Sequence, residues 1–222
     1  MTVAEKFEHI QRYIPEKVRL IAVTKTHPID VIQASYDYGH RHFGENKVQE
    51  LLAKKDLLPA DIVWHMIGHL QSNKVKQIAP FVGLIHGVDS LKLLQTIDKE
   101  GNKNQRTIPC LLQVHIAEES SKFGFSPDEL KEMLKLKQLN EFENIEIRGL
   151  MGMATFTEDK SQVRREFQML KSLFDELKQT SFLNVPHFSE LSMGMSDDYQ
   201  IAIEEGATMV RVGSALYGER DY

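Results

Sequence analysis

One cysteine, Cys110, is all that a chain of 222 residues carries, so no disulfide can close within it. Its place in the apolar run Ile108-Pro-Cys-Leu-Leu-Gln-Val114 marks a small buried hydrophobe rather than a reactive thiol. This cysteine usage fits a reducing, cytoplasmic compartment. Neither sign of charge is in large excess, with 27 basic against 32 acidic side chains. No global cationic field is available to gather nucleic acid or an anionic membrane, which argues against both as partners. Long hydrophobic runs are also missing. The opening segment Met1-Thr-Val-Ala-Glu-Lys-Phe-Glu-His-Ile10 alternates charged with apolar residues and lacks both a signal-type core and a bilayer span. A soluble protein is expected. No linker rich in proline, glycine or serine interrupts the chain, so residues 1–222 read as one domain.

What the chain does have is a strand followed by a helix, repeated. After an amphipathic opening helix over 3–13, eight short apolar runs have the character of buried parallel strands: 19–25, 42–45, 62–67, 84–88, 108–116, 145–153, 187–193 and 209–212. Helical periodicity fills the intervals, as at 28–38, where Pro28 suits a first turn, and at 161–178. Eight alternations predict an α/β protein with a closed (β/α)8 TIM barrel. An open doubly wound sheet uses the same units with fewer strands. Both architectures put chemistry at the carboxyl ends of the strands.

Those ends are rich in polar groups and glycine. The run Val18-Arg-Leu-Ile-Ala-Val-Thr-Lys25 stops on a single amine. A lysine there sits half in low dielectric, which favours the neutral form that condenses with a carbonyl compound, although it could also snorkel to the surface. Gly194-Met-Ser196 and Arg211-Val-Gly213-Ser214 follow the last two strands, where barrels of this kind commonly hold phosphate on backbone amides. Ser196 is placed to cap a helix over 197–205 and to donate its hydroxyl to an anion; Ser214 offers the same from the next loop. Each serine alone is an ordinary cap, and their convergence carries the argument. Arg211 shares a face with Gly213 by the period of two, so its guanidinium would point into the barrel mouth unless a carboxylate pairs it. Against a pyridine ring an arginine only donates, which leaves the ring nitrogen unprotonated. His40 with His42, and His65 with His69, have spacings compatible with metal ligation, but no carboxylate ligand accompanies them. His65 beside Trp64 suits packing near a flat ligand or a place in the core. Met151, Met153, Met193 and Met195 suit barrel filling, the last two flanking the proposed phosphate loop.

Seven segments, in order along the chain, resemble the pyridoxal phosphate homeostasis proteins, also called proline synthase co-transcribed proteins. They are Ala22-Val-Thr-Lys25-Thr, Phe43-Gly-Glu-Asn46, Trp64-His-Met-Ile-Gly-His-Leu-Gln-Ser-Asn-Lys74, Ser121-Lys-Phe-Gly124, Arg148-Gly-Leu-Met151, Leu191-Ser-Met-Gly-Met-Ser-Asp197 and Val210-Arg-Val-Gly-Ser-Ala-Leu-Tyr-Gly218. A more distant similarity is to the barrel domain of alanine racemases. The resemblance implies that Lys25 carries pyridoxal 5'-phosphate (PLP) as an internal aldimine. It further implies that Arg211 faces the pyridine nitrogen, that Ser196, Gly213 and Ser214 cradle the phosphate, and that Asn46 and His65 lie near the cofactor. Lys122 stands where a racemase-like pattern has a cation. Thr24 and Ser214 stand where the family often has serine and threonine respectively, and each keeps a hydroxyl.

On this reading the protein buffers PLP inside the cell and passes it to apo-enzymes, without robust catalysis. A PLP-dependent amino-acid racemase is the alternative, and a lysine aldolase acting on a sugar phosphate a weaker one. A racemase of this architecture draws a second acid/base group and dimer contacts from a further C-terminal domain. With Tyr222 closely following the eighth strand, the expectation is a non-catalytic monomer.

Overall fold

The computed structural model describes residues 1–118, 123–136 and 138–218. Lys122 lies outside the described residues, and so does the question of its role. Eight strands close a barrel in chain order, every neighbour parallel. They are β1 (Arg19–Val23), β2 (His42–Glu45), β3 (Val63–Met66), β4 (Leu84–Val88), β5 (Ile108–Gln113), β6 (Ile145–Met151), β7 (Glu190–Ser192) and β8 (Met209–Val212). The helices are α1 (Val3–Gln11), α2 (Ile29–Asp37), α3 (Val48–Lys55), α4 (Val75–Ile78), α5 (Leu91–Lys103), α6 (Pro127–Lys135), α7 (Lys160–Gln179), α8 (Tyr199–Glu204) and α9 (Ser214–Tyr217). The barrel therefore replaces the open-sheet alternative. Among the described residues no helix is long and apolar enough to cross a membrane.

Three of the eight expected strands keep their predicted bounds, and the other five are shorter. The losses fall mostly where the backbone leaves the ladder to build the carboxyl rim. β1 ends at Val23: the Thr24 N–H still donates to the Gly44 carbonyl at 3.1 Å, but its own carbonyl turns to Lys54 and the chain bends ahead of Thr26, whose φ is +67°. β7 keeps only Glu190–Ser192, between the 186–188 turn and Gly194 at φ +91°. Pro28 precedes α2 as its N-cap instead of entering the first turn.

Apolar residues fill the space between strands and helices, and a smaller cluster occupies the barrel interior: Ile21, Val23, Ile67, Leu84, Leu111, Met151 and Met209. Of the methionines expected to fill the barrel, Met151 does so. Met193 packs in the helix-facing core, Met195 lines the upper cavity and Met153 is 41% exposed. Cys110 is fully buried, and burial raises its thiol far out of the reactive range.

A polar layer crosses this interior. His42 Nδ1 lies 3.0 Å from His65 Nε2, and His65 Nδ1 lies 3.0 Å from His86 Nε2. His86 Nδ1 lies 2.9 Å from Ser192 Oγ, which accepts a 2.6 Å hydrogen bond from Arg211 Nη1. Burial, reinforced by neighbouring positive groups, holds His65 and His86 well below the ordinary histidine range and His42 down to about 4. Of the two places the sequence allowed it, beside a flat ligand or in the core, His65 takes the core. Among the described residues no three His, Cys, Asp or Glu side chains converge to hold a metal.

These rings are neutral in the fold but gain protons below pH ~6.5 once unfolded, so their contribution is present above that pH and is lost on acidification. Glu45, pushed up to about 7 by burial, opposes this between its ordinary 4.5 and 7, since there the folded state holds the extra proton. The histidines outnumber it. His40, lowered to about 4 by the same burial, adds to them, so denaturant titrations should show stability falling from pH 7 to pH 5, with a net uptake of roughly three protons on unfolding. A flat or inverted profile would contradict neutral buried histidines.

Candidate functional site

A cavity of about 410 Å³ opens at the carboxyl rim of the barrel. Lys25 reaches it from the loop after β1, Asn46 from the loop after β2, and Gly68 and His69 from the loop after β3. Gln113 comes from β5, Met153 from beyond β6, Ser196 and Asp197 from beyond β7, and Arg211, Gly213 and Ser214 from β8 and its loop. Of the residues singled out in the sequence, Lys25, Asn46, Ser196, Arg211, Gly213 and Ser214 share this one cavity, and His65 does not line it.

The register explains the meeting. Ile21 pairs with Arg211 and Ala22 with Val212, so one further step sets Val23 beside Gly213. A Cβ at Gly213 would stand 3.2 Å from the Val23 carbonyl oxygen and 3.3 Å from its Cβ, which leaves little room for a side chain between the two loops. Gly68 is tighter: its Cβ would lie 2.4 Å from the Asn46 carbonyl oxygen. Only glycine lets the β2 and β3 loops close on each other and bring Asn46 to the rim.

Lys25 is half-buried, and its turn is held from α3 on both sides. Lys54 Nζ donates to the Thr24 carbonyl at 2.7 Å and to Glu45 Oε1 at 2.8 Å; Thr24 Oγ1 donates to the same carboxylate oxygen at 2.6 Å. One helical turn earlier, Glu50 Oε1 accepts the Thr26 N–H at 2.8 Å. Positive φ is unusual for a β-branched residue and costs about 1–3 kcal/mol, so the surroundings must impose it. The clamp supplies that force, fixing the peptide groups before and after Lys25. Glu45 is fully buried, and its Oε2 has no hydrogen-bond partner among the described residues.

Across the cavity, Ser196 departs from expectation. It does not cap α8, which begins at Tyr199 with Asp198 at its N-cap. Its Oγ instead accepts from the backbone N–H groups of Gly213 at 3.1 Å and Ala215 at 3.4 Å, tying the β7 loop to the β8 loop. Two accepted bonds leave the serine proton free to be donated into the cavity. Ser214 is exposed on the same rim.

Arg211 is 3% exposed, and burial lowers it to about 10, so it remains charged at neutral pH. The carboxylate partner weighed in the sequence is not there. Its partners are neutral oxygens, Ser192 Oγ and the Gly152 carbonyl at 3.0 Å; Asp198 attracts it without an ion-pair contact among the described residues. A charged guanidinium with neutral partners keeps its positive potential directed at the cavity.

Sequence reasoning passed over His86, Ser192, Glu50, Lys54, Thr26 and Gln113. His86 left a signal, a lone imidazole inside the apolar run Leu84-Ile-His-Gly-Val88. Glu50 and Lys54 left none that separates them from an ordinary solvated i,i+4 pair.

Comparisons with known proteins bear on this geometry. The family model for the alanine racemase N-terminal domain matches residues 2–221. A pyridoxal phosphate homeostasis protein of Aquifex aeolicus is 42% identical, over 92% of this chain and 88% of that protein. One from Synechocystis is 39% identical, over 96% and 97% respectively. The solved structure of Synechococcus elongatus PipY with PLP bound superposes with a TM-score of 0.88 at 36% identity, covering 97% of this chain and all of that one. An alanine racemase of Clostridium difficile, 16% identical with a TM-score of 0.79, shares the fold over 56% of its length. By the whole-length family match and these identities, the chain belongs to the pyridoxal phosphate homeostasis proteins, which carry the alanine racemase N-terminal barrel.

Proposed function

We propose that this protein binds PLP through an imine on Lys25 and serves as an intracellular, cytoplasmic carrier of the cofactor, handing it to apo-enzymes without turning over amino acids. The observation that carries this reading is that one cavity gathers Lys25, on a clamped backbone, with the hydroxyls of Ser196 and Ser214 and the charged Arg211. The volume suits a small ligand. The lining fits PLP in kind: an amine for the aldehyde, an oxygen-anion cradle at Ser196, Gly213 and Ser214, and a donor at Arg211 for the ring nitrogen. The binding of PLP by PipY supports the same choice.

Bound there, the cofactor supplies an aldehyde that condenses with amines and a ring that withdraws electrons. Lys25 gives the nitrogen of the imine, and the aldehyde oxygen leaves as water. Ser196 donates its remaining proton to the phosphate while its Oγ holds the Gly213 and Ala215 amides in place. Asn46 stands on the rim, held by the close approach at Gly68. Arg211 can only donate, so it favours an unprotonated ring nitrogen and weakens the ring as an electron sink. That favours carriage over catalysis.

Incubation with PLP, borohydride reduction and peptide mapping should add the pyridoxyl mass to the Lys25 peptide, with no adduct in Lys25→Ala. A full adduct on another lysine would overturn the assignment. The loaded protein should leave the optical rotation of L-alanine unchanged; rapid racemisation would favour an enzyme.

The clamp gives a second expectation. Glu50→Ala should leave stability within about 1 kcal/mol while slowing imine formation roughly ten- to hundred-fold, because the peptide that follows Lys25 is no longer held. Lys54→Met should slow it as well and cost more stability than Glu50→Ala, with Glu45 taking up a proton at neutral pH once the ammonium is gone. Stopped-flow absorbance and urea unfolding separate the two effects. Unaltered loading in both variants would dismiss the clamp.

A further inference from the structure

The buried histidines form a chain whose direction is fixed by its end. Arg211 has no acceptor, so Nη1 must donate to Ser192 Oγ. Ser192 then has its own proton to place, and among the described residues the remaining hydrogen-bond partner of its hydroxyl is His86 Nδ1. If His86 Nδ1 donated instead, the serine oxygen would accept twice and its proton would be stranded in the core. With Nδ1 accepting, His86 carries its proton on Nε2 and donates to His65 Nδ1. His65 in turn donates from Nε2 to His42 Nδ1. Every proton points away from Arg211, from β8 across β7, β4 and β3 to β2. The charged groups around the chain are Arg19 on β1 and Asp198 at the start of α8; His40, before β2, is titratable but is lowered to about 4 by burial and stays neutral. Among the described residues no carboxylate hydrogen-bonds to any member of it.

We infer that Ser192, His86, His65 and His42 are positioning residues for Arg211: the chain presents the guanidinium with a hydroxyl that can only accept. Arg211 is thereby held as a fixed donor toward the cavity, and the ring nitrogen of the bound cofactor stays unprotonated. The inference rests on the PLP reading above and gives His65 a part in the site without contact. A carboxylate in the place of Ser192 would neutralise the guanidinium, and a protonated imidazolium would repel it. A neutral one-way chain does neither, and mutual polarisation along it strengthens the terminal bond.

Two measurements test this. In ¹⁵N-histidine-labelled protein, long-range ¹H–¹⁵N spectra should show His42, His65 and His86 as neutral Nε2–H tautomers from pH 8 down to pH 5.5, each assigned by its own substitution. A His86 protonated on Nδ1 overturns the inference. In protein loaded with ring-¹⁵N PLP, the ring nitrogen should remain unprotonated across pH 6–9. It should stay so in His86→Asn, whose side-chain oxygen keeps an acceptor for Ser192. In His86→Leu it should titrate, its resonance moving upfield as pH falls; Ser192→Ala should repeat that result and serves if the leucine variant does not fold. An unchanged resonance in a folded, loaded His86→Leu or Ser192→Ala overturns the inference alone. Failure of the unaltered protein to take up PLP overturns the function proposed above, while the tautomer spectra still decide the direction of the chain.

Discussion

The grip of α3 on the Lys25 turn is the constraint on which the rest of the site depends. Lys54 and Glu50 lie on one face of that helix and seize the peptide carbonyl before Lys25 and the peptide N–H after it. The arrangement is costly. Glu45 is removed from water with one oxygen unpartnered, its pKa pushed up to about 7, and Thr26 is forced to a positive φ. A buried ion pair is weak evidence for stability, since hydrophobic residues of like volume often do as well. What it does supply is a fixed backbone from which the long lysine side chain starts. The backbone that carries Lys25 is thereby fixed beside the neighbouring β8 loop of Gly213 and Ser214.

Charge is arranged locally rather than globally. The chain as a whole is mildly acidic, yet the cavity gathers Lys25, Arg211 and the hydroxyls of Ser196 and Ser214, against the single lining carboxylate of Asp197 among the described residues. Because Arg211 is satisfied by neutral oxygens, its charge remains available to a ligand, and the polar layer beneath it accounts for how a guanidinium tolerates 3% exposure. The barrel interior thus has two parts, an apolar plug and a hydrogen-bonded seam that ends at the cavity.

Much of this was legible in the sequence because two periodicities are local. Buried strands reveal themselves as short apolar runs, and the residue that ends each run falls at the functional rim; Lys25, Asn46, Ser196, Arg211, Gly213 and Ser214 were found in that way. Strand ends were overextended at Thr24 and Lys25 and around Gly194, where single backbone bonds to the next strand persist while positive φ at Thr26 and Gly194 turns the chain into the rim loops. The histidine seam escaped because its members lie on four strands and touch only once the barrel closes. Ser196 read as a cap for the helix that follows it, whereas its real partners are amides on the next loop, made adjacent by the β7–β8 pairing. Glu50 and Lys54 look like a solvated pair until Thr24 and Thr26 are seen between them.

The most direct measurement is a crystal structure of the protein grown with PLP. The account predicts continuous density from Lys25 Nζ to the cofactor, the phosphate against Ser196, Gly213 and Ser214, and Thr26 still at positive φ with Glu50 on its N–H. Cofactor bound elsewhere, or a Lys25 side chain turned away from the 196 and 213–214 loops, would contradict it.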